Sequence, residues 1–232
     1  MPIKKHDFVE VEYTGMVKDT SDVFDTTSET VAKSSKIHTK GAQYQPIVIC
    51  VGERHILPGI DEFLEGKEPG QYKVEFSADK AFGKKDATRL KMIPTSKFEE
   101  QDIKPVAGLR LNIDNHVGII KSVSGGRIVV DFNHPLAGKD VKYEIKVNKI
   151  VTDKKAQVDS VLRVLLGIQT KVEVTGNKAK IDLPELPAEF LAELSKKIKD
   201  LTKLDTEYVL KKVEPHDHDH HDHDHSDPNH KH

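Results

Sequence analysis

The stretch VKYEIKVNKIV, residues 141–151, decides how the chain folds. Its apolar side chains recur at every second position (Val141, Tyr143, Ile145 and Val147), which is the pattern of a half-buried strand. The residues just before it already form a self-contained set of short strands and offer it no partner. We therefore expect this strand to return to a sheet begun earlier in the chain, so that the preceding segment is an insertion.

The earlier sheet is predicted from short runs rich in β-branched and aromatic residues. These runs are residues 8–13, 47–51 and 72–76. Apolar residues at helical spacing predict a helix from about Ile56 that Gly66 ends. Residues 26–45 are polar and without a period, which predicts a long loop.

The inserted segment is predicted as a small β unit. Leu109, Leu111 and Ile113 alternate with polar residues, and two further strand-like runs are joined by a hairpin turn at residues 124–126. Pro94 interrupts the start of the segment. These signals predict strands that carry their own small core.

The sequence after the returning strand predicts a separate α+β unit. Asp153 can cap a helix that ends at Gly167, and a second amphipathic helix follows Pro187. Two strands lie between the helices and one follows them. At about 60 residues this unit is small for an independent domain. A homodimer through it is therefore a hypothesis.

Charge and apolar runs exclude several classes of protein. The net charge is −2, but residues 216–232 carry five Asp and one Lys, which leaves 35 Lys and Arg against 33 Asp and Glu elsewhere. Such a balance does not favour sequence-independent nucleic-acid binding. The longest apolar run, residues 47–51, is far short of the roughly 20 residues of a membrane span. We expect no membrane segment and no signal peptide.

The single cysteine excludes an internal disulfide framework and suits a reducing compartment, so we expect a cytoplasmic protein. Cys50 lies inside a strand-like run, where a buried core position is favoured over a nucleophile. The sequence contains no nucleophile elbow, phosphate-binding loop or zinc-protease motif. No common hydrolase or nucleotide-dependent activity is therefore indicated.

Five ordered motifs resemble those of the FKBP-type peptidyl-prolyl cis-trans isomerases. They read FVEVEYTG at residues 8–15, VFDT at 23–26, VGERHILPGID at 51–61, KAFG at 80–83 and NHPLAGKDVKY at 133–143. The last motif, after an inserted β unit, is similar to the SlyD-like branch, in which an insert-in-flap chaperone domain interrupts the isomerase. The additional C-terminal segment makes the chain similar to the long archaeal members of the family.

The resemblance implies an α+β fold in which an FKBP-like antiparallel sheet wraps on a short helix. The isomerase domain would comprise residues 1–83 and 133–152, interrupted by an all-β insert-in-flap chaperone domain at 84–132. A C-terminal domain of αββαβ order would span residues 153–214. A disordered tail rich in His and Asp would occupy residues 215–232.

The resemblance also implies an apolar pocket for the prolyl residue. Its catalytic residues would be Tyr13, Phe24, Asp25, Ile56, Leu57, Phe82 and Tyr143, and its substrate-binding residues Ile47, Ile49, Ile60 and His55. Asp25 would bond the Tyr13 hydroxyl, and the Leu57 N–H would hold a substrate carbonyl. Taken singly, each apolar residue could be ordinary core, Asp25 a turn carboxylate and His55 a solvent-exposed residue. Their joint order and spacing favour the pocket.

Isomerisation about an Xaa-Pro bond requires no nucleophile and no cofactor, because an apolar pocket can favour the twisted amide over the planar one. The expected partners are unfolded or nascent polypeptides that contain Xaa-Pro bonds. Two positions depart from the family pattern. Ile60 stands where many members have Trp, and Phe82 where a Tyr hydroxyl is usual. Both changes make the pocket drier, and we expect weak binding of macrolide inhibitors.

The tail is a candidate site for divalent metal. Its candidate ligands are His216, His218, His220, His221, His223 and His225, interleaved with Asp. Neutral imidazole suits Ni²⁺, Zn²⁺ and Cu²⁺. A solvated acidic tail without a metal role is the alternative. Two other functions remain open: a metal-delivery protein and a holdase chaperone, each using the isomerase fold as a docking module.

Overall fold

The computed structural model describes residues 1–113 and 116–211. They divide into two compact units, one spanning Met1–Gln169 and one that begins at Thr170. The elements of the first unit are β1 Phe8–Val17, β2 Val23–Thr26, α1 Glu29–Ser34, β3 Ile47–Cys50, α2 Pro58–Leu64, β4 Gly70–Phe76, β5 Leu90–Pro94, α3 Ser96–Glu99, β6 Arg110–Ile113, β7 His116–Ser124, β8 Arg127–Asp131, β9 Val141–Ile150 and α4 Lys154–Leu166. The elements of the second are β10 Val172–Thr175, β11 Lys178–Pro184, α5 Ala188–Thr202 and β12 Asp205–Lys211.

Strand β9 completes the first sheet. It lies antiparallel between β1 and β4, in the order β2-β1-β9-β4, and β3 also pairs with β1. The alternating residues Val141, Tyr143, Ile145 and Val147 are at most 4% exposed. They pack with Ile60 of α2 in one hydrophobic cluster. The prediction that this strand returns to the earlier sheet is confirmed.

The segment between β4 and β9 forms its own antiparallel sheet, in the order β5-β8-β7-β6. Its buried residues are Phe98, Ile120, Ile128 and Val130. Phe98 lies on the short helix α3, so the expectation of an all-β insert is wrong in this detail. Strand β5 was not predicted, because Pro94 was read as a break. Pro94 is the last residue of that strand, which lies at the edge of the sheet, where proline is tolerated.

Helix α4 has the predicted ends. The Asp153 carboxylate accepts the backbone N–H of Ala156 at 2.7 Å, and Gly167 adopts the left-handed conformation at the C-cap. The helix packs against β3. The unit boundary falls after Gln169, so the placement of this helix in the C-terminal domain 153–214 is wrong.

A polar contact explains why α4 belongs to the first unit. The Ser160 hydroxyl donates to the carbonyl oxygen of Val48 at 2.7 Å, and the Arg163 guanidinium donates to the same oxygen at 2.5 Å. Because β3 pairs on one edge with β1, its other edge needs a partner for its backbone groups. Helix α4 supplies that partner through side chains.

The second unit has a three-stranded sheet in the order β10-β11-β12. Strands β10 and β11 are antiparallel, and β11 and β12 are parallel and connected through α5. Leu194 and Ile198 of α5 are buried. Without α4, the unit has ββαβ order.

Two further findings concern the parts of the chain with weak sequence patterns. The predicted loop at residues 26–45 contains helix α1, which Ser28 caps and which buries only Ala32. A helix with one buried residue leaves no apolar period to detect.

Among the described residues, no helix has the length and apolarity to cross a membrane.

The contact between α4 and β3 predicts a stability effect. Arg163→Met should lower the free energy of unfolding by about 1–3 kcal/mol, because a hydrogen bond from a charged donor to the Val48 carbonyl is lost. Urea unfolding measures this change. The matched control is Lys155→Met on the exposed side of the same helix, where Lys155 pairs with Asp159. The free energy of unfolding of the control variant should fall much less. An equal fall in the two variants would contradict the role of the contact.

Candidate active site

Four aromatic rings form the centre of the candidate site on the inner face of the first sheet. Phe24 meets Tyr143 edge to face with ring centres 5.8 Å apart, and Phe82 meets Phe24 in the same way at 5.4 Å. Tyr13 lies 6.0 Å from Tyr143. Edge-to-face contacts stabilise such a cluster while leaving gaps between ring faces. We call these four residues the aromatic cluster.

Gly15 of β1 permits the cluster to form. A Cβ atom at this position would lie 2.7 Å from the Tyr143 ring and 2.9 Å from the Phe24 ring, closer than real Cβ contacts. Any other residue would push the two rings apart. The YTG motif at residues 13–15 is therefore explained by close packing.

A single hydrogen bond links the cluster to a carboxylate. The Tyr13 hydroxyl donates to Asp25 Oδ2 at 2.9 Å, as the sequence predicts. Burial, and then the charge of Asp25, raise the pKa of the Tyr13 hydroxyl above its usual range. Burial raises the pKa of Tyr143 in the same direction. Both phenols therefore hold their protons more tightly in the folded chain than in the unfolded chain.

The loop before α2 is held by a buried carboxylate. Asp61 accepts the backbone N–H groups of Gly52 at 2.9 Å and Arg54 at 3.0 Å. The Leu57 carbonyl accepts from Ile60 N–H at 2.9 Å and so begins the helix. Within residues 1–113 and 116–211, the Leu57 N–H donates to no other group. It is available to a ligand.

The structure brings the predicted apolar residues together in one cluster. Three are buried (Ile49, Ile60 and Tyr143) and six are partly buried (Tyr13, Phe24, Ile47, Ile56, Leu57 and Phe82). Ile49 and Ile60 have no exposed surface, so they lie behind the open part of the site. Asp25 is exposed at its edge.

His55 has a structural contact. Its Nδ1 accepts the backbone N–H of Cys50 at 3.1 Å, which fixes the imidazole at the end of β3. The ring is half-buried rather than fully exposed.

Three residues near the site were not predicted as functional. Phe76 is buried with its ring 6.2 Å from that of Tyr143. The His134 ring stacks on Phe82 with centres 4.7 Å apart and planes 4° apart, and its Nδ1 accepts the Leu136 N–H at 3.2 Å. The NHPLAGK motif could have indicated His134, since the motif follows the insert directly.

The third residue, Asn133, ties the two crossings between the sheet and the insert. Its Oδ1 accepts the Asp86 N–H at 2.8 Å, and its Nδ2 donates to the Asp86 carbonyl at 2.9 Å and to Asp131 at 2.8 Å. A backbone bond from Gly138 N–H to the Gly83 carbonyl, 2.8 Å long, lies beside it. The insert is therefore joined to the first sheet by a hydrogen-bonded junction.

The predicted metal ligands, His216, His218, His220, His221, His223 and His225, lie outside the described residues. Within the described part of the chain, no three His, Cys, Asp or Glu side chains are grouped as a metal site would require.

The raised pKa values of Tyr13 and Tyr143 predict an alkaline loss of stability. A phenol that holds its proton more tightly when folded stabilises the fold fully below its unfolded pKa of about 10, and this contribution is lost as the pH rises further. Urea unfolding from pH 8 to beyond pH 10 should show a falling free energy in the natural protein. Tyr13→Phe should make that fall shallower, and an unchanged slope would contradict the assignment.

Comparison with known proteins gives the family. A model of the FKBP-type peptidyl-prolyl cis-trans isomerase domain matches residues 1–104, and a model of the FKBP26 IF domain matches residues 91–136. The chain is 34% identical over 149 residues to a short-type peptidyl-prolyl cis-trans isomerase of Methanocaldococcus jannaschii, which covers 64% of this chain and 94% of that protein.

More distant relatives agree. A probable FKBP-type 16 kDa isomerase of Pseudomonas fluorescens is 28% identical, with 44% of this chain and 71% of that protein covered. The isomerase SlyD of Haemophilus influenzae is 29% identical, with 44% of this chain and 56% of that protein covered. The SlyD-like resemblance that the motifs indicated is confirmed. The chain belongs to the FKBP-type peptidyl-prolyl cis-trans isomerases.

Proposed function

We propose that this isomerase acts on Xaa-Pro bonds of unfolded and nascent polypeptides, and that the aromatic cluster holds the prolyl ring. The observation that carries the proposal is the cluster itself: four packed rings, with two edge-to-face contacts and one tilted contact between them, partly open and with one tyrosine–carboxylate hydrogen bond at the rim. Such a site offers apolar surface and few polar groups, as prolyl binding requires.

The chemistry follows from the amide bond. Resonance gives it a rotation barrier of about 18–20 kcal/mol. Twisting the C–N bond removes conjugation and makes the carbonyl less dipolar, so a dry pocket stabilises the twisted state more than the planar one. A carbonyl of the substrate, held by the Leu57 N–H, would keep one side of the bond fixed while the other rotates. No covalent step is needed.

The departures from the family pattern strengthen this environment. Ile60 and Phe82 add no hydroxyl or indole N–H to the pocket, and Phe82 is in contact with Phe24. Catalysis that depends on apolarity should tolerate both residues. A macrolide that needs a polar anchor should bind weakly.

The insert supports a chaperone role as a second function. Large apolar side chains stand exposed on it: Leu90 at 44%, Met92 at 67% and Val117 at 63%. Such exposure costs solubility unless it serves binding. In contrast, Phe98 and Val130 are needed for the insert's own core. We propose that the exposed set holds unfolded chain close to the prolyl pocket.

Isomerase activity is tested by cis-to-trans relaxation of a short Leu-Pro peptide. The chain should accelerate relaxation when present in sub-stoichiometric amounts. Phe24→Ala should lower kcat/KM by at least about tenfold, since truncation removes a packed ring from the transition-state contacts. It should leave suppression of aggregation by the insert intact, which separates an isomerase from a holdase.

The matched control is Phe63→Ala. Phe63 is also half-buried in the first unit, but its ring packs on Tyr72, with ring centres 5.5 Å apart, and the described residues show no ring contact between it and the aromatic cluster. The Phe63→Ala variant should keep most of the isomerase activity. A folded natural protein without any acceleration would make the aromatic cluster a structural core and the protein a binder.

We further propose that the tail binds Ni²⁺, Zn²⁺ or Cu²⁺ through its histidines. Replacing the six candidate ligands from His216 to His225 by Ser in the full chain should abolish most metal binding in equilibrium dialysis while leaving isomerisation unchanged. Metal should also be released below about pH 6.5, where imidazole is protonated. If isomerisation required the metal, the metal-delivery alternative would be favoured over an independent isomerase.

A cytoplasmic location and a homodimer through the C-terminal part stay predictions. Phe190 and Leu210 of the second unit are 37% and 44% exposed, which supports a further contact surface there.

A further inference from the structure

Two adjoining cavities open on the insert, of about 490 and 290 Å³. Arg89 and Phe132 line both of them. We call the combined surface the cationic groove and define it by Arg89, Lys91, Arg110, Ile119, Phe132 and His134. Its floor is apolar and its rim carries cations.

The groove is continuous with the prolyl pocket. His134 lines one of its cavities, and the same ring stacks on Phe82 of the aromatic cluster with centres 4.7 Å apart. Asn133, the neighbouring residue, ties both connections between the sheet and the insert. A client polypeptide bound at the prolyl pocket can therefore extend along the adjacent surface of the groove.

The charge of the groove is positive. Arg89, Lys91 and Arg110 are exposed there. Arg89 Nε lies 4.0 Å from Asp86 Oδ2, while the other oxygen of this carboxylate, Oδ1, accepts two hydrogen bonds from Thr88. Asp86 can therefore offset one of the three cations.

A second carboxylate, Asp131, is buried in the insert. It bonds Asn133 and faces Lys85 at 3.9 Å and Lys121 at 3.8 Å. The described residues that line the two cavities therefore include three cations and no carboxylate, and Asp86 can offset only one of these cations, although the whole chain is slightly acidic.

We infer that the cationic groove binds the part of a client polypeptide adjacent to its prolyl residue, and prefers segments that combine acidic and large apolar side chains. The inference rests on the proposed isomerase function and specifies its substrate class. The apolar floor suits Leu or Phe side chains, and the cationic rim suits Asp and Glu. Three permanent cations are too few for the roughly 6–10 phosphate contacts of a typical nucleic-acid interface, which favours a polypeptide.

The test uses the full chain and three labelled peptides with the same Leu-Pro core. Their flanks alternate Leu with Glu, Gln or Lys. Affinity is measured by fluorescence anisotropy, and kcat/KM by relaxation. The Glu peptide should bind at least about fivefold more tightly than the Gln peptide, and the Lys peptide more weakly, as expected for a few partly screened ion pairs. Raising ionic strength from about 0.01 to about 0.15 M shortens the Debye length from about 30 to about 8 Å and should reduce this preference.

Two double variants locate the effect. Arg89→Gln with Arg110→Gln should bring the ratio of Glu-peptide to Gln-peptide affinity close to one. Lys97→Gln with Lys104→Gln removes the same charge from exposed positions of the insert outside the groove and should keep the natural ratio. Loss of the ratio in both would show a general charge effect and overturn the inference.

The remaining outcomes are distinct. Acceleration of all three peptides with equal affinities would overturn the groove's preference and leave the isomerase function intact. If no peptide were accelerated, the proposed function would be overturned. The ratio of Glu-peptide to Gln-peptide affinity, measured by fluorescence anisotropy, would still decide whether the groove prefers acidic segments. Single-stranded RNA and the unlabelled Gln peptide are also compared as competitors of the labelled Glu peptide. If the RNA displaced the Glu peptide at a lower concentration than the Gln peptide, the groove would be assigned to nucleic acid instead.

Discussion

The pairing of β9 with β1 on one edge and β4 on the other holds the first unit together. Residues from Val9 to Val17 pair with β9 on one side, and Gly70 to Phe76 on the other. This register places Tyr143 next to Gly15 and Val74, at the centre of the sheet. Because side chains alternate in a strand, a slip of one residue would turn Tyr143 away from Phe24 and dissolve the aromatic cluster. The site therefore depends on a long-range strand pairing formed only after the insert has been bridged.

The sequence predicted the elements whose burial is periodic. Strand β9, helix α2 and the caps of α4 each show either alternation, helical spacing or a residue with a specific backbone role. Helix α1 could not be found, because Ala32 is its only buried residue. The partner of α4 could not be found either, because Ser160 and Arg163 make that contact through polar groups that an apolar pattern does not register.

The candidate site was predicted by the order of its motifs and not by the chemistry of single residues. Each ring in it could have been core, and only their juxtaposition in space distinguishes a partly open cluster from a closed one. His134 lies within the NHPLAGK motif, but its contact with Phe82 depends on the path of the chain after the insert. Stacking across such a junction leaves no periodic trace in sequence. The polar residues of the site, Asp25 and Asp61, act at its rim and in its supporting loop.

The hydrogen bonds of Asn133 fix the two ends of the insert where it joins the first sheet. The Asn133 amide joins the two segments that connect the insert to the first sheet, so the ends of the insert are held together whatever lies between them. Changes of sequence or length within the insert can therefore accumulate without disturbing β9. Evolution could exchange the surface of the insert while retaining the aromatic cluster, and, if the insert binds clients as proposed, new client preferences would arise without new catalysis.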